Sequence, residues 1–535
     1  MIKLFQKTPL ASSDSTSGGS FIVFLLFHLV AQINILKQKL NELAQENEQL
    51  KSKLHLRESQ LFGQKSEKQN RSINSNPENK SDNQSQPSSS AENNSKPKSN
   101  SQNRGAQKGH QGNGRKIPKG LPVEEVVHEI AEQQQQCDSC TAPYQATSMV
   151  DIFHEVDVKI KYVLEKHIRK IYKKTCDCAQ PIITAPKPIQ IIPRGKFSVA
   201  FWCKVLVDKF MMQLPIHRQV FQMKLNNLDI SKGTIFNSFK RLSEYLLPLY
   251  EQFRIESQNE RHHHADETRW KNFIEVDGKK GFNWWLWTFV GKKVVFYIVD
   301  KSRSAKVPKE HLKDAVGRIL NVDRYSAYKT LADLIQLAFC WSHVRRDFIN
   351  ILLRYPDKKI LIDWANKWIK WIGQLYALNK QRLAVRNDPP QFQLKQQELK
   401  QAVVNMQQRS MENYALPEQQ KIMISLQNHW QGLTRFVDNP DIPMDNNIAE
   451  NMLRLPVVGR KNYYGNHCEW GGTFSAMMFT FIQTCILHNI NPTAYLEYYL
   501  TQCAKLGRVP QHLEQFMPHR LKQNSPQQLF IESSL

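Results

Sequence analysis

The chain has 535 residues, with 73 Lys and Arg against 49 Asp and Glu, for a formal net charge of +24. That length exceeds one compact core and points to about three or four domains. The basic excess is spread along the chain, which makes a polyanion the expected partner through steering and counterion release. Nine cysteines in a chain this long argue against a disulfide framework.

The one membrane-like run, FIVFLLFHLVA, has 11 residues, well short of the about 20 that span a bilayer. A cytoplasmic protein with no membrane partner is expected. Residues 1–28 receive no assignment. From there Leu29, Leu36, Leu43 and Leu50 recur every seven residues, and Ile33, Leu40, Asn47, Leu54 and Leu61 fill the alternate seam position. An a/d heptad with one polar Asn at an a site fits a leucine-zipper-like coiled coil over 29–68 and a homodimer or higher oligomer. The alternative is a single amphipathic helix packed on its own protein. Residues 69–120 are rich in Asn, Ser, Gln, Lys and Pro and nearly devoid of apolar side chains, so they read as a disordered basic linker.

Over 121–185, CDSC and CDC flank a basic, alternating segment. Two close cysteine pairs joined by a hairpin suggest a zinc-ribbon-like segment, with Cys137, Cys140, Cys176 and Cys178 as thiolate ligands of a structural Zn2+. The single residue between Cys176 and Cys178 is tighter than most ribbons use, which leaves a ribbon without its metal as the other reading. Residues 186–256 are helical in pattern. A turn near Asn226 and Asn227 and a cap at Ser231 outline a helix-turn-helix, whose second helix would carry Lys232, Asn237, Lys240 and Arg241 towards DNA. A plain helical hairpin in a core has the same outline.

From residue 260 the pattern changes to strands: RHHHADETRW, FNWWLWTFV and VVFYIVD. A helical stretch follows, then GRILNVD as a strand, a second helix, and LAFCW as a last strand leading into a basic helix. Three strands, a helix, a strand, a helix and a strand is the order of a ribonuclease H-like fold. That fold carries one acid on its first strand and another at the end of its fourth, where Asp266 and Asp323 fall. DNNIAENMLRLPVVGRKN supplies a third, Glu450, in the first turns of a helix that Asp445 or Asn446 can cap and Pro456 would stop. Three such carboxylates can hold two Mg2+ ions for in-line phosphoryl transfer. Arg454 shares the helix face of Glu450 and would keep it oriented while contacting phosphate. The catalytic region therefore comprises 257–350 and 436–490, interrupted by a helical insertion at 351–435 and followed by a C-terminal tail at 491–535. The overall class is multidomain α/β.

Several motifs in this order resemble those of the insertion-sequence-66 family of bacterial DDE-type transposases. They are LFGQKSEK, GAQKGHQGNGRKIPKGLP, the paired cysteines, LPIHRQ, HADET, VDRYSAY, CWSHVRRDF and DNNIAENMLRLPVVGRKNYYG. The resemblance runs from about residue 36 to 500. It implies Asp266, Asp323 and Glu450 as catalytic acids with Mg2+ or Mn2+, a leucine-zipper N-terminus, a zinc-finger-like segment and a helical insertion before the glutamate. Small accessory proteins of the element are further expected partners. On this reading His343 stands behind the metal ligands, and Arg345, Arg346, Arg460 and Lys461 contact DNA. The expected activity is cleavage of element ends at terminal inverted repeats and joining of the 3′-hydroxyl to target DNA. A non-catalytic DNA-binding regulator with a relic nuclease domain, or a structure-specific nuclease, remains the alternative.

Overall fold

The computed structural model describes residues 18–62, 183–276, 282–314, 316–521 and 529–530, with short stretches between 123 and 175. The linker at 69–120 and the four cysteines of the zinc-ribbon reading lie outside the described residues. Contacts divide the chain into two units, residues 1–67 with 164–535 and residues 68–163. All the helices and strands named here belong to the first.

The first helix, α1 (Gly18–Phe62), starts earlier than the heptads and absorbs the apolar run at its N-terminus. Among the described residues no helix is long and apolar enough to cross a membrane. The heptad seam of α1 faces outward: Leu36 is 65% and Leu40 68% exposed. Residues 28–51 are exposed on every side, and the helix is held near its C-terminal end, where Ser52 is buried and Glu48 pairs with Lys358. Of the alternating segment before CDC, two residues form a strand, β1 (Ile171–Tyr172), antiparallel to β2 (Ile183–Thr184).

Three helices follow: α2 (Val199–Phe210), α3 (Ile216–Leu225) and α4 (Lys232–Gln258). Asn227 turns the chain with φ 61°, a conformation that Asn tolerates better than most residues. Ser231 Oγ then accepts the Thr234 N–H at 3.1 Å to cap α4. Lys232, Asn237, Lys240 and Arg241 lie on the exposed face of α4. Its other face buries Ile235, Phe239, Leu242, Leu246, Leu249 and Phe253, so α4 serves the core along its whole length.

The five strand-like runs form one mixed sheet from β3 (His262–Lys271), β4 (Asn283–Val290), β5 (Val295–Asp300), β6 (Ile319–Val322) and β7 (Gln336–Phe339). Their order is β5-β4-β3-β6-β7. The strands β3, β4 and β5 make an antiparallel meander, whereas β6 and β7 run parallel to β3. Crossovers α5 (Lys306–His311) and α6 (Ser326–Lys329) connect the parallel members, since parallel neighbours cannot be joined by a tight turn. After β7 come α7 (Trp341–Arg354), α8 (Lys359–Ala384), α9 (Pro389–Ser410), α10 (Pro417–Asn428), α11 (Trp430–Asp438), α12 (Asn447–Tyr463), α13 (Glu469–Leu487) and α14 (Pro492–Leu506).

Both sheet edges are covered, which removes the unpaired backbone that an open edge would offer to other chains. On α13, Thr484 Oγ1 and Thr480 Oγ1 accept the outward N–H groups of Val295 and Tyr297, each at 3.0 Å. At the far edge α11 lies on β7, where Arg435 Nε donates to Leu337 O at 2.8 Å. The insertion helices α8 to α11 are thus anchored to the sheet by its last strand. Two expectations change. Pro456 does not stop α12, which continues to Tyr463 with the proline buried inside it. The segment read as a tail contains α14, whose Tyr499 hydroxyl donates to Tyr245 O on α4 at 2.7 Å, because Tyr495, Leu496, Tyr499 and Leu500 give it a buried apolar face.

Candidate active site

A central strand is normally apolar, yet β3 reads His-His-His-Ala-Asp-Glu-Thr-Arg-Trp-Lys. Each buried polar group on it has a partner, as burial demands. His263 meets Ser257 O at 2.8 Å, and His264 Nδ1 lies 3.1 Å from Asn446 Oδ1. Glu267 receives the Tyr328 hydroxyl at 2.5 Å and Arg303 Nε at 2.8 Å. The pairing of β3 with β6 sets His264 opposite Asn321. Continued by two residues, that register brings Asp323, just past the end of β6, level with Asp266.

Glu450 reaches the same place from the first turn of α12. Two asparagines fix that approach. Asn446 is 1% exposed; its Nδ2 donates to Ala265 O at 2.8 Å and its backbone N–H to Cys340 Sγ at 3.1 Å. Asn321 Nδ2 donates to Pro443 O at 3.1 Å. Together they pin the loop before α12 to β3 and β6. The capping task falls to Asp445, whose Oδ1 accepts the Asn447 N–H at 3.2 Å.

The electrostatics record the convergence of the acids. Burial pushes the Asp266 carboxyl up to about 7, helped by the negative charges of Glu267, Asp323 and Glu450 and opposed by the Glu267 N–H. The Asp323 carboxylate accepts the Tyr325 N–H at 2.9 Å, which holds the loop after β6 in a tight turn. Tyr325 in turn lies under Arg303, whose guanidinium sits 3.9 Å from the ring centroid. Arg303 therefore links Glu267, the neighbour of Asp266, to the loop of Asp323.

Glu450 has different cationic neighbours from those expected. No ion pair joins it to Arg454. Instead His343 Nδ1 lies 3.7 Å from Glu450 Oε1, and Arg346 is 4.0 Å from Oε2, because the start of α7 meets the first turn of α12, where Ser342 also reaches Asn447. Burial pushes the Cys340 thiol up, but the polar side chains of His343 and Ser342 beside it and the charge of the imidazole outweigh it, so its pKa falls below the ordinary value. The same contact with Cys340, aided by the charges of Cys340, Glu450 and Asp323, raises His343 against the effect of burial. Arg324, between Asp323 and Tyr325, donates to Asp347 on α7 at 2.5 Å and to Ser425 on α10 at 3.0 Å. The insertion is thereby fastened to the loop of the second acid.

Asp266, Asp323 and Glu450 present oxygen donors only, a set suited to Mg2+ or Mn2+. The Glu450 Oε1 atom is buried without a hydrogen-bond partner, as an oxygen reserved for a ligand would be. Arg460, expected on DNA, is half-buried and donates to Arg269 O. Arg454 and Lys461 are exposed on α12, and Lys232, Lys240 and Arg241 on α4. Sequence reasoning missed Asn321, Glu267, Arg303 and Arg324, and read Asn446 only as a helix cap. Two of these stand beside the acids in HADET and VDRYSAY, so adjacency was the available signal.

The curated relatives are similar along most of the chain. The uncharacterized protein y4jD of Sinorhizobium fredii is 25% identical over 451 residues, covering 78% of this chain and 84% of its own length. From the same organism, uncharacterized protein y4hP is 25% identical over 367 residues, covering 62% of this chain and 64% of its own. The family described as Transposase IS66 family matches residues 194–474, from the turn before α2 to the first turns of α13. That span holds the whole sheet, the three acids and the insertion, and this protein is a member of the IS66 family of transposases.

Proposed function

We propose that the protein is a DDE-type DNA transposase whose catalytic core is ribonuclease H-like, with Asp266, Asp323 and Glu450 as the ligands of two Mg2+ or Mn2+ ions. The observation that carries this reading is the meeting of three acids from β3, the end of β6 and α12, close enough that Asp323 and Glu450 both raise the Asp266 carboxyl. When bound, the ions supply Lewis acidity towards a DNA phosphodiester and neutralise the charge that develops during in-line displacement. The chain's own part is positional. Asn446 and Asn321 hold the third acid against the sheet, Tyr325 holds the second, and His343 and Arg346 keep Glu450 from turning away. The reaction is cleavage at the element's terminal inverted repeats, followed by attack of the freed 3′-hydroxyl on target DNA.

The exposed cations of α4, together with Arg345 and Arg346 beside the acids and Arg454 and Lys461 on α12, track the phosphates, supported by the +24 charge. The exposed heptad seam of α1, with Leu36 and Leu40 facing outward, supports pairing with a second copy. A structural Zn2+ at Cys137, Cys140, Cys176 and Cys178, small accessory proteins of the element and a cytoplasmic location complete the reading.

The test is cleavage of DNA carrying the element's ends, with Mg2+ or Mn2+ and a chelator control. Asp266→Asn is expected to abolish cleavage while DNA binding survives. Retention of full cleavage in Asp266→Asn would refute the triad. A wild type that binds DNA but cleaves neither element ends nor branched DNA would favour the regulator.

A further inference from the structure

Beside the three acids lies a second group of donors of different chemistry. Cys340, His343 and Glu450 each offer one ligand atom, and these atoms lie within 4.8 Å of one another. Cys340 directly precedes α7, His343 is in its first turn, and Glu450 is in the first turn of α12. Two further observations distinguish the group from ordinary packing. His343 Nδ1 and Glu450 Oε1 are both buried without a hydrogen-bond partner, a state that native structures avoid unless a ligand or strain accounts for it. Cys340 Sγ, in contrast, already receives the Asn446 N–H at 3.1 Å, the kind of outer contact that steadies a metal-bound thiolate.

The donor set discriminates between cations. Sulfur and imidazole nitrogen with one carboxylate suit Zn2+ and are poor ligands for Mg2+. Tetrahedral zinc with such ligands sets its donor atoms about 3.5 Å apart. His343 Nδ1 and Glu450 Oε1 are already 3.7 Å apart, so small side-chain movements close the group. The thiolate and the carboxylate balance the dication, and binding releases to solvent the thiol proton and, where His343 is charged, the imidazole proton. Arg346 stays near Oε2, which leaves Oε1 for the metal.

We propose that Cys340, His343 and Glu450 form a zinc site that shares Glu450 with the Mg2+ ligands and keeps the transposase in a resting state. Zinc at this site occupies the Glu450 oxygen, so the third ligand of the magnesium ions is lost until zinc leaves. The binding claim stands on the donor geometry alone. The resting-state claim rests on the proposed catalytic role of Glu450.

The experiment uses the full chain and compares wild type with Cys340→Ser. Co2+ serves as the spectroscopic stand-in for zinc, because thiolate-to-cobalt absorption reports sulfur ligation. Any signal from the four N-terminal cysteines is common to both proteins and cancels in the difference. Wild type is expected to bind one Co2+ more than the variant, with a thiolate band in the difference spectrum. Its affinity at that site should exceed the variant's by at least about tenfold. Identical stoichiometry and spectra would overturn the site. Should Cys340→Ser lower the melting temperature, His343→Gln supplies a second subtraction, judged by the same loss of one ion. In the cleavage assay at fixed Mg2+, the zinc concentration that halves the rate is expected to rise at least about tenfold in Cys340→Ser. An unchanged value alongside a lost cobalt band overturns the resting-state claim. If no protein cleaves DNA under any condition, the transposase chemistry fails, while the cobalt difference still decides the site.

Discussion

Replacing Arg303 with Met tests whether the buried pair behind the acids holds the site together. Glu267 has 1% of its side chain exposed and Arg303 38%. The guanidinium reaches Glu267 Oε1 through Nε at 2.8 Å and Nη2 at 2.7 Å. Removing one partner of a buried pair costs about 3–5 kcal/mol, because the other charge is left without compensation. The partial exposure of Arg303 screens its charge, and the Tyr328 hydroxyl stays on Glu267, so a loss of about 2–3 kcal/mol is expected at pH 7.5. The sign of the pH dependence follows from Glu267, whose carboxyl burial already raises. Without Arg303 its folded pKa rises further above the unfolded value. A carboxyl raised in the fold destabilises above its unfolded pKa, so the deficit should shrink as pH falls towards about 4.5. Urea denaturation at several pH values measures it, and the double variant Glu267→Gln with Arg303→Met should recover about half of the loss. A deficit below about 1 kcal/mol, independent of pH and additive with Glu267→Gln, would refute the pairing. In the cleavage assay Arg303→Met should lower the rate and raise the Mg2+ concentration needed for half-maximal activity, since Tyr325 and the Asp323 loop lose their support.

Four further outcomes follow from packing and burial. A methyl at Gly432 would stand 2.4 Å from Phe339 Cδ2 and 2.9 Å from Leu337 O, so Gly432→Ala should destabilise by about 1–3 kcal/mol in thermal melts as α11 is forced off β7. Gly373 in α8 has nothing within 4 Å of such a methyl, and Gly373→Ala should stabilise by about 0.5–1 kcal/mol. Arg324→Met should loosen α10 from the Asp323 loop, read as faster hydrogen exchange over 417–428, with a smaller change in global stability. Burial lowers His263 to about 4 and His311 well below its usual value. Groups neutral in the fold and charged in the unfolded chain contribute fully above pH 6.5. That stability is lost as pH falls from 6.5 towards 4, at about 3 kcal/mol for His263, and His311→Phe should flatten the loss in melts taken across that window.

The sequence by itself determined much of the architecture. The strand runs are legible because FNWWLWTFV and VVFYIVD are aromatic and β-branched over the length of a buried strand, with Gly291 and Lys292 marking the turn between them. The heptads of α1 and the Ser231 cap are local patterns as well, and local patterns can be read without knowing the fold. Asp266 and Asp323 were legible for a related reason: strand order places one on the central strand and the other at the end of its parallel neighbour.

Tertiary structure alone decided who stands beside each acid. Arg454 shares a helix face with Glu450, and helix periodicity suggests the pair, yet α7 arrives from more than 100 positions away and brings His343 and Arg346 instead. Pro456 reads as a stop because it lacks an N–H, but burial inside α12 outweighs the missing bond. Asn446 does hold the N-cap position of α12, but its side chain is spent as a strut to Ala265 and His264 rather than on the helix. A side chain's type and spacing declare what it can bond. Only the folded chain, by bringing distant segments within hydrogen-bond reach while excluding water, selects the partner it does bond.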